Sequence, residues 1–333
     1  MTKRKSVLII GTGSIGERHL RCFSATGRAA VNFVEVNESL RNTIAGRYIV
    51  RGFARLEDAL AAQPDAAVVC TPAPSHVPIA TRLADAGLHV LIEKPLSTTV
   101  DGVNRLQQTI RQRGVTAAVA YVYRAHPVLT AARAAIRDGR FGKPVELVAV
   151  CGQHFPTYRP AYRDIYYKDR ATGGGAIQDA LTHILNAGEW LVGPIDRLVA
   201  DAAHQVLEGV QVEDTVHTLA RHGTVLASYS LNQHQAPNEL AITVICEHGT
   251  VRFESHENRW RWMTKPGEAW HDETIPPLER DAMFIAQANA FLDAVEGKAA
   301  PLCSLEDGLQ TLRVNLAALA SIENGKWQEI SSS

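Results

Sequence analysis

The sequence contains no apolar run near the roughly 18 residues that a membrane-spanning helix requires. The stretch Val7 to Ile10 follows Lys3, Arg4 and Lys5, but Gly11 interrupts it too soon for the core of a secretory signal. An excess of one charge is also missing. Lys and Arg total 34 against 35 Asp and Glu, so a net charge of −1 gives no global drive toward nucleic acid or an anionic membrane. The five cysteines (Cys22, Cys70, Cys151, Cys246, Cys303) are scattered, odd in number and without metal-ligand spacing, which argues against a disulfide framework or a zinc site. The 13 histidines are dispersed, and no metal is expected. Repeats, low-complexity tracts and long linkers are lacking. The expectation is a soluble cytoplasmic protein with reduced thiols. What is present is 46% apolar residues over 333 positions, enough for packed cores and, by length, two domains.

The most informative segment is the apolar strand Val7-Leu8-Ile9-Ile10 running into Gly11-Thr12-Gly13-Ser14-Ile15-Gly16, with a second apolar run, Val31 to Val34, ending in Glu35. A glycine triplet alone is weak. Strand before, helical pattern after and an acid about 20 residues on make it a dinucleotide-binding pattern. Gly11 permits the tight turn, Gly13 lets the backbone approach a pyrophosphate, and Gly16 lets helix and strand pack closely. Ser14 and Ile15 open a helix whose unpaired N–H groups and positive dipole end face the phosphates. Glu35 is placed to accept hydrogen bonds from the adenosine ribose and to repel a 2′-phosphate, which favours NAD over NADP. Arg41 lies near enough in sequence to soften that preference.

Apolar runs at 6–10, 31–36, 66–70, 88–92 and 115–120 alternate with amphipathic stretches, several closed by glycine. This predicts an α/β fold with a parallel sheet covered on both faces, and ligands outside the carboxyl ends of its strands. After Pro127 the pattern changes. A helix over about 128–138, a strand at 145–151 and longer strands with turns at His222-Gly223 and His248-Gly249 predict a mostly antiparallel open sheet, closed by helices near 280–296 and 305–322. The domains are expected at 1–124, for dinucleotide binding, and 125–333, for substrate and oligomerisation. Neither face of Thr215–Leu219, Thr224–Leu231 or Ala241–Cys246 is strongly polar, so this sheet is expected to be covered twice, by helices and by another subunit.

Glu93-Lys94-Pro95 ends the strand Leu88–Ile92 at the edge where substrate must sit, so Lys94 is a candidate catalytic residue, against the alternative of a solvated lysine. Asp179 and His183, four apart after Gly173-Gly174-Gly175, share one face if Ala176–Leu191 is a single helix. They read either as an acid–base pair for an alcohol proton or as a structural pair bonded to backbone. The stretch His154 to Arg170, HFPTYRPAYRDIYYKDR, is rich in tyrosine and arginine and suits sugar or carboxylate recognition, or a subunit contact, equally well.

Taken together, Gly11–Gly16, Thr71-Pro72 with His76, Glu93-Lys94-Pro95, Tyr123-Arg124, and Gly173-Gly174-Gly175 followed by Asp179 and His183 resemble the glucose–fructose oxidoreductase/inositol dehydrogenase/rhizopine-catabolism (Gfo/Idh/MocA) family over nearly the whole chain. The resemblance implies a Rossmann domain, a C-terminal α/β domain whose open sheet mediates assembly as a homodimer or homotetramer, and a cis Lys94–Pro95 bond. It implies cofactor contacts from Thr71, Pro72, His76, Glu93 and Lys94, with Lys94 also touching the reacting hydroxyl, and His183 as acid/base beside Asp179. Substrate contacts are expected from Tyr123, Arg124, His154, Tyr158, Tyr162 and Arg163. Asn186 stands where many members carry an aspartate, and Arg159-Pro160 sits closer to the glycines than in the surface-polysaccharide subgroup that Tyr162-Arg163 and Tyr166 otherwise resemble. The implied activity is an NAD-dependent oxidoreductase moving hydride between nicotinamide and a hydroxyl or keto carbon of a sugar, polyol or sugar derivative. An NAD-dependent glycoside hydrolase and a non-catalytic NAD-sensing regulator share the pattern. Net consumption of NAD separates the first, and retention of Lys94, Asp179 and His183 argues against the second.

Overall fold

The computed structural model describes residues 4–331; Lys3 of the basic N-terminal cluster lies outside the described residues. Two compact units form, Met1–Ala125 with Glu279–Leu309, and His126–Leu278 with Gln310–Ser333.

The first unit is built on a six-stranded parallel sheet. Its strands are β1 (Lys5–Ile10), β2 (Ala29–Val34), β3 (Gly52–Phe53), β4 (Ala66–Val69), β5 (His89–Ile92) and β6 (Ala117–Val119), in spatial order β3-β2-β1-β4-β5-β6. Helices α1 (Ser14–Ala25), α2 (Glu38–Tyr48), α3 (Leu56–Leu60), α4 (His76–Asp85) and α5 (Val103–Arg113) connect them. Every residue of β4 is fully buried, as expected for a central strand of a parallel sheet covered on both faces. Strand order reverses between β1 and β4, which fixes the crevice where a ligand belongs. The edge strand β3 escapes sequence reading because two residues carry no periodicity.

The second unit contains α6 (Pro127–Arg137), the single turn α7 (Phe155–Tyr158) and α8 (Thr182–Val192). Its nine strands are β7 (Pro144–Gly152), β8 (Arg197–Ala203), β9 (Thr215–His222), β10 (Val225–Asn232), β11 (Glu239–Cys246), β12 (Gly249–Glu254), β13 (Arg259–Met263), β14 (His271–Thr274) and β15 (Gln328–Glu329). They lie in the order β14-β13-β12-β11-β7-β10-β9-β8-β15. Only β7 and β10 pair in parallel; every other neighbour is antiparallel. Burial alternates with period two, as in β11, where Leu240, Ile242, Val244 and Cys246 point inward. Helix α8 packs on β7 and β10, and α6 on β12 and β13. The chain therefore covers one face of this sheet. On the other, Val150, Leu219 and Leu226 remain 44%, 55% and 52% exposed.

Two further helices close the chain, α9 (Ala282–Val295) and α10 (Leu305–Asn324). Helix α9 returns to the first unit. Its Ala288, Phe291, Leu292 and Val295 join Leu20 and Phe23 of α1 in one core cluster, and Arg21 holds Asp281 through bonds of 2.5 and 2.9 Å.

Candidate functional site

In the first unit the glycine turn and Glu35 are locked together. The Gly11 N–H donates to Val34 O at 2.9 Å, tying the exit of β1 to the end of β2. One Glu35 carboxylate oxygen accepts from Thr12 N at 2.9 Å and from Thr12 Oγ1 at 3.2 Å; the other accepts from Asn37 N at 2.9 Å. Three bonds leave acceptor capacity on a carboxylate, so Glu35 is oriented yet still able to bond a ribose hydroxyl. Arg41 Nη1 donates to the backbone carbonyl of Glu35 at 2.8 Å, which puts a guanidinium against the backbone at the end of β2.

The glycines differ in what surrounds them. A Cβ on Gly16 would lie 1.9 Å from Gly11 O, so helix and turn touch through bare backbone. A Cβ on Gly13 would meet nothing within 4 Å, although its φ of −59° and ψ of −174° suit any residue. That leaves open space against a helix N-terminus, where α1 begins at Ser14 and Ile15, and its backbone N–H groups suit a phosphate. The residues present fit a dinucleotide.

At the neighbouring strand ends, Thr71 and Pro72 follow β4 and Glu93-Lys94-Pro95 follows β5, with a cis bond between Lys94 and Pro95. His76 is buried and directs one ring nitrogen to Pro95 O at 2.9 Å and the other to Thr71 O at 2.6 Å. It clamps the two exits, and burial lowers its pKa against the pull of those carbonyls. Glu93 is buried, with Oε1 2.6 Å from His19 Nε2 and Oε2 accepting from Lys94 N at 3.0 Å. Burial pushes the Glu93 carboxyl up, but the His19 bond and the Lys94 charge outweigh it and hold the group below the usual range. Lys94 and Tyr123 are half-buried. Arg124 is 5% exposed and bonds Leu302 O at 3.0 Å and Asp307 at 2.9 Å inside its own unit.

The second unit holds Asp179 and His183. The helix expected over Ala176–Leu191 is not uniform: Ile177–Leu181 winds as a π-helical turn before α8 begins at Thr182. Such turns recur at functional sites because they re-aim side chains. Asp179 is 2% exposed, accepts from Tyr166 Oη at 2.6 Å and pairs with Arg159 Nη1 at 3.1 Å. His183 is half-buried at the first turn of α8. Glu213 anchors the start of this segment: its backbone carbonyl accepts from Ala176 N at 2.9 Å, and its carboxylate accepts from Ile177 N at 3.2 Å and from Arg170 Nε at 2.8 Å. A Cβ on Gly175, whose φ is +86°, would stand 2.4 Å from that carboxylate, and one on Gly174 would stand 2.2 Å from Tyr167 O. The glycines permit this close approach.

The Tyr/Arg loop divides between core and surface. Tyr162 is 1% exposed, packs with Phe155 and Tyr167, and donates to Glu208 O at 2.8 Å; read from sequence as a substrate contact, it is a core residue here. Arg163 lies over the Tyr162 ring and bonds its hydroxyl at 3.0 Å. Tyr158 is 52% exposed, and His154 Nδ1 lies 2.8 Å from the Thr157 hydroxyl. Asn186 is buried and donates to Thr311 Oγ1 at 2.9 Å. Sequence reading gave Arg159 and Tyr166 no role toward Asp179 and missed Glu213 and His19 entirely. The density of Tyr and Arg before the glycines was the available signal for the first two. His19, three residues after Gly16 on the inner side of an amphipathic helix, offered a weaker one.

Residues 5–121 match the family model described as an oxidoreductase family with an NAD-binding Rossmann fold, and residues 129–252 match the GFO/IDH/MocA C-terminal domain. The chain belongs to the Gfo/Idh/MocA oxidoreductase family. It is 28% identical over 320 residues to UDP-N-acetylglucosamine 3-dehydrogenase of Acidithiobacillus ferrooxidans, covering 93% of this chain and 94% of that one. It is 25% identical over 344 residues to inositol 2-dehydrogenase of Rhizobium meliloti, covering 94% and 96%. A levoglucosan dehydrogenase solved in complex with NADH superposes with a TM-score of 0.89 at 18% identity, covering 99% of this chain and 100% of that one, which is a likeness of fold. Among the described residues no helix is long and apolar enough to cross a membrane, and no group of three or more His, Cys, Asp or Glu is arranged to hold a metal ion.

Proposed function

We propose that this protein is an NAD-dependent dehydrogenase or reductase acting on a CH–OH group of a sugar, polyol or sugar derivative. The observation that carries this reading is Asp179, buried and fixed by Arg159 and Tyr166, one π-helical turn before the half-buried His183. A fixed carboxylate one helical turn before a histidine suits exchange of an alcohol proton near neutral pH. Bound nicotinamide supplies the hydride acceptor or donor. His183 takes or returns the hydroxyl proton, and the Lys94 ammonium stabilises charge developing on the oxygen. Gly11, Gly13, Ser14, Ile15 and Gly16 hold the pyrophosphate, and Glu35 the adenosine ribose. Thr71, Pro72 and Glu93 shape the strand ends, with His76 clamping them. Tyr123, His154, Tyr158 and Arg163 are the substrate-side candidates, with Arg124 and Tyr162 supporting them from the interior. Relatives that act on inositol and on a nucleotide sugar support the substrate class.

The test is a panel of sugars, inositols and sugar acids assayed by NADH absorbance, followed by His183→Asn on any substrate found. Turnover should fall by about 10²–10⁴-fold while NADH affinity is kept. Full activity in His183→Asn removes it from the mechanism. Glycoside cleavage without net NADH formation would instead identify a hydrolase.

The partly exposed outer face of the second sheet carries a trough of about 650 Å³ lined by Val148, Val150, His217, Leu219, Ser228 and Ser230. We assign assembly as a homodimer or homotetramer to this face. A light-scattering mass near 36 kDa at micromolar concentration would refute it. The five free thiols support a cytoplasmic location, which fractionation checks.

A further inference from the structure

His19 has no place in the mechanism above, yet it is a deeply buried polar group near the end of β5. It lies on α1, the helix that begins at the dinucleotide turn, and is 1% exposed. Its ring is wedged edge-on against Phe284 at 5.6 Å and tilted to Phe23 at 6.3 Å, so it has little freedom to turn. Nε2 lies 2.6 Å from Glu93 Oε1, while Nδ1 has no hydrogen-bond partner among the described residues. Among the described residues the ring therefore meets polar groups through Nε2, and its partner is the Glu93 carboxylate. The other Glu93 oxygen accepts the Lys94 backbone N–H at 3.0 Å.

A continuous chain of bonds therefore runs from the helix that receives the dinucleotide, through an imidazole and a carboxylate, to the backbone of the residue assigned to steady the substrate oxygen. We propose that His19 is a positioning residue for Lys94: by fixing the Glu93 carboxylate, it makes the placement of the Lys94 ammonium depend on the cofactor helix α1. This rests on the role given to Lys94 above. The same pairing explains why Glu93 stays ionised although buried, since the His19 bond and the Lys94 charge together offset its desolvation. Losing the donor lets the carboxylate rotate or take a proton, and Lys94 then loses a fixed counter-charge.

The experiment compares His19→Leu, His19→Gln and His19→Asn. A glutamine amide reaches the position of Nε2 and can donate to Glu93; an asparagine is polar but too short. Labelling of Lys94 by trinitrobenzenesulfonate, read peptide by peptide in a mass spectrometer, requires no turnover. It should run about threefold faster or more in the Leu and Asn variants and near the parent rate in Gln. With a substrate in hand, kcat should fall by up to about 100-fold in Leu and Asn, as for a misplacement near 1 Å, with KM and NADH affinity changed by less than about threefold. Parent-like labelling or parent-like kcat in Leu and Asn overturns the proposal. So does equal impairment of Gln and Asn, which would mean that the ring acts only as packing. If His19→Leu does not fold, the Gln and Asn pair decides alone. If the parent turns over no sugar while labelling still shifts as expected, the positioning stands and the functional reading falls.

Discussion

Gly13 and Gly16 are three residues apart in the same turn, and alanine should damage them in opposite ways. At Gly16 the new Cβ would stand 1.9 Å from Gly11 O, 2.9 Å from Gly11 C and 3.2 Å from the Cys70 Cβ. The first distance is about 1.4 Å short of an ordinary close C···O approach of about 3.3 Å. The obstructing atoms are backbone and cannot rotate aside, so helix α1 must lift off the turn. Overpacking of this kind costs about 1–3 kcal/mol or more, which lowers the melting temperature by roughly 2–12 °C for a unit of this size. NADH binding should be lost with it. At Gly13 the φ of −59° and ψ of −174° are accessible to alanine, and no atom lies within 4 Å of the added carbon. The folded state is untouched and the unfolded chain is stiffer, so Gly13→Ala should melt at the parent temperature or slightly above, by about 0.4–1 kcal/mol. The methyl instead occupies the space assigned to a pyrophosphate. Displacing one charge-assisted bond costs about 1.5–3 kcal/mol, so the NADH Kd should rise roughly ten- to hundredfold. The assays are thermal melting of the apoprotein and NADH fluorescence titration on both variants. If Gly13→Ala binds NADH within about twofold of parent, the phosphates do not lie against Gly13 and the assignment of the turn is wrong.

Three further predictions follow from single contacts. Glu35 should make NADH bind at least about tenfold more tightly than NADPH, and Glu35→Ser should narrow that ratio; tighter binding of NADPH by the parent would overturn it. Tyr166→Phe removes a 2.6 Å bond to the buried Asp179 carboxylate and should lower turnover by about tenfold or more without changing NADH affinity; unchanged turnover would detach that bond from function. His126 is buried against Phe253, and burial brings its pKa down to about 4 from the ordinary 6.5. Below pH 6.5 the unfolded chain takes a proton that the fold refuses, so stability is full above pH 6.5 and falls toward pH 4, by roughly 3 kcal/mol in all. His126→Phe should lose less between pH 7.5 and 4.5 in urea unfolding, and equal losses would remove His126 as the cause.

What the sequence revealed depended on how local each feature is. The glycine turn and Glu35 were legible because strand, turn, helix and acid follow within about thirty residues, each with its own periodicity. The alternation in β11 made the second sheet visible for the same reason. The partners of Asp179 were not, because Tyr166 and Arg159 reach it from 13 and 20 residues upstream through irregular backbone, where no period says which way a side chain turns. In that loop Tyr158 faces out and Tyr162 faces in, and composition alone treats them alike. The π-helical turn at Ile177–Leu181 escaped because no sequence period marks it, and Glu213, which bonds Ala176 and Ile177 at its start, lies more than thirty positions away. His19 escaped because its partner, Glu93, lies 74 residues on.

The return of α9 to the first unit bears on how this protein is made. Phe291, Leu292 and Val295 are at most 9% exposed, and burying three such side chains is worth about 5–9 kcal/mol. That is comparable with the whole net stability of a typical domain. The dinucleotide unit cannot reach its full stability until residue 295 has left the ribosome, by which time nearly all of the second unit has already emerged. The order of synthesis and the order of completion are thus reversed: the segment translated first must wait, with Leu20 and Phe23 uncovered, for one of the last. A chain stopped at Ala125 should accordingly depend on chaperones and precipitate when they are removed, whereas the same chain supplied with a separate peptide spanning Glu279–Leu309 should regain solubility.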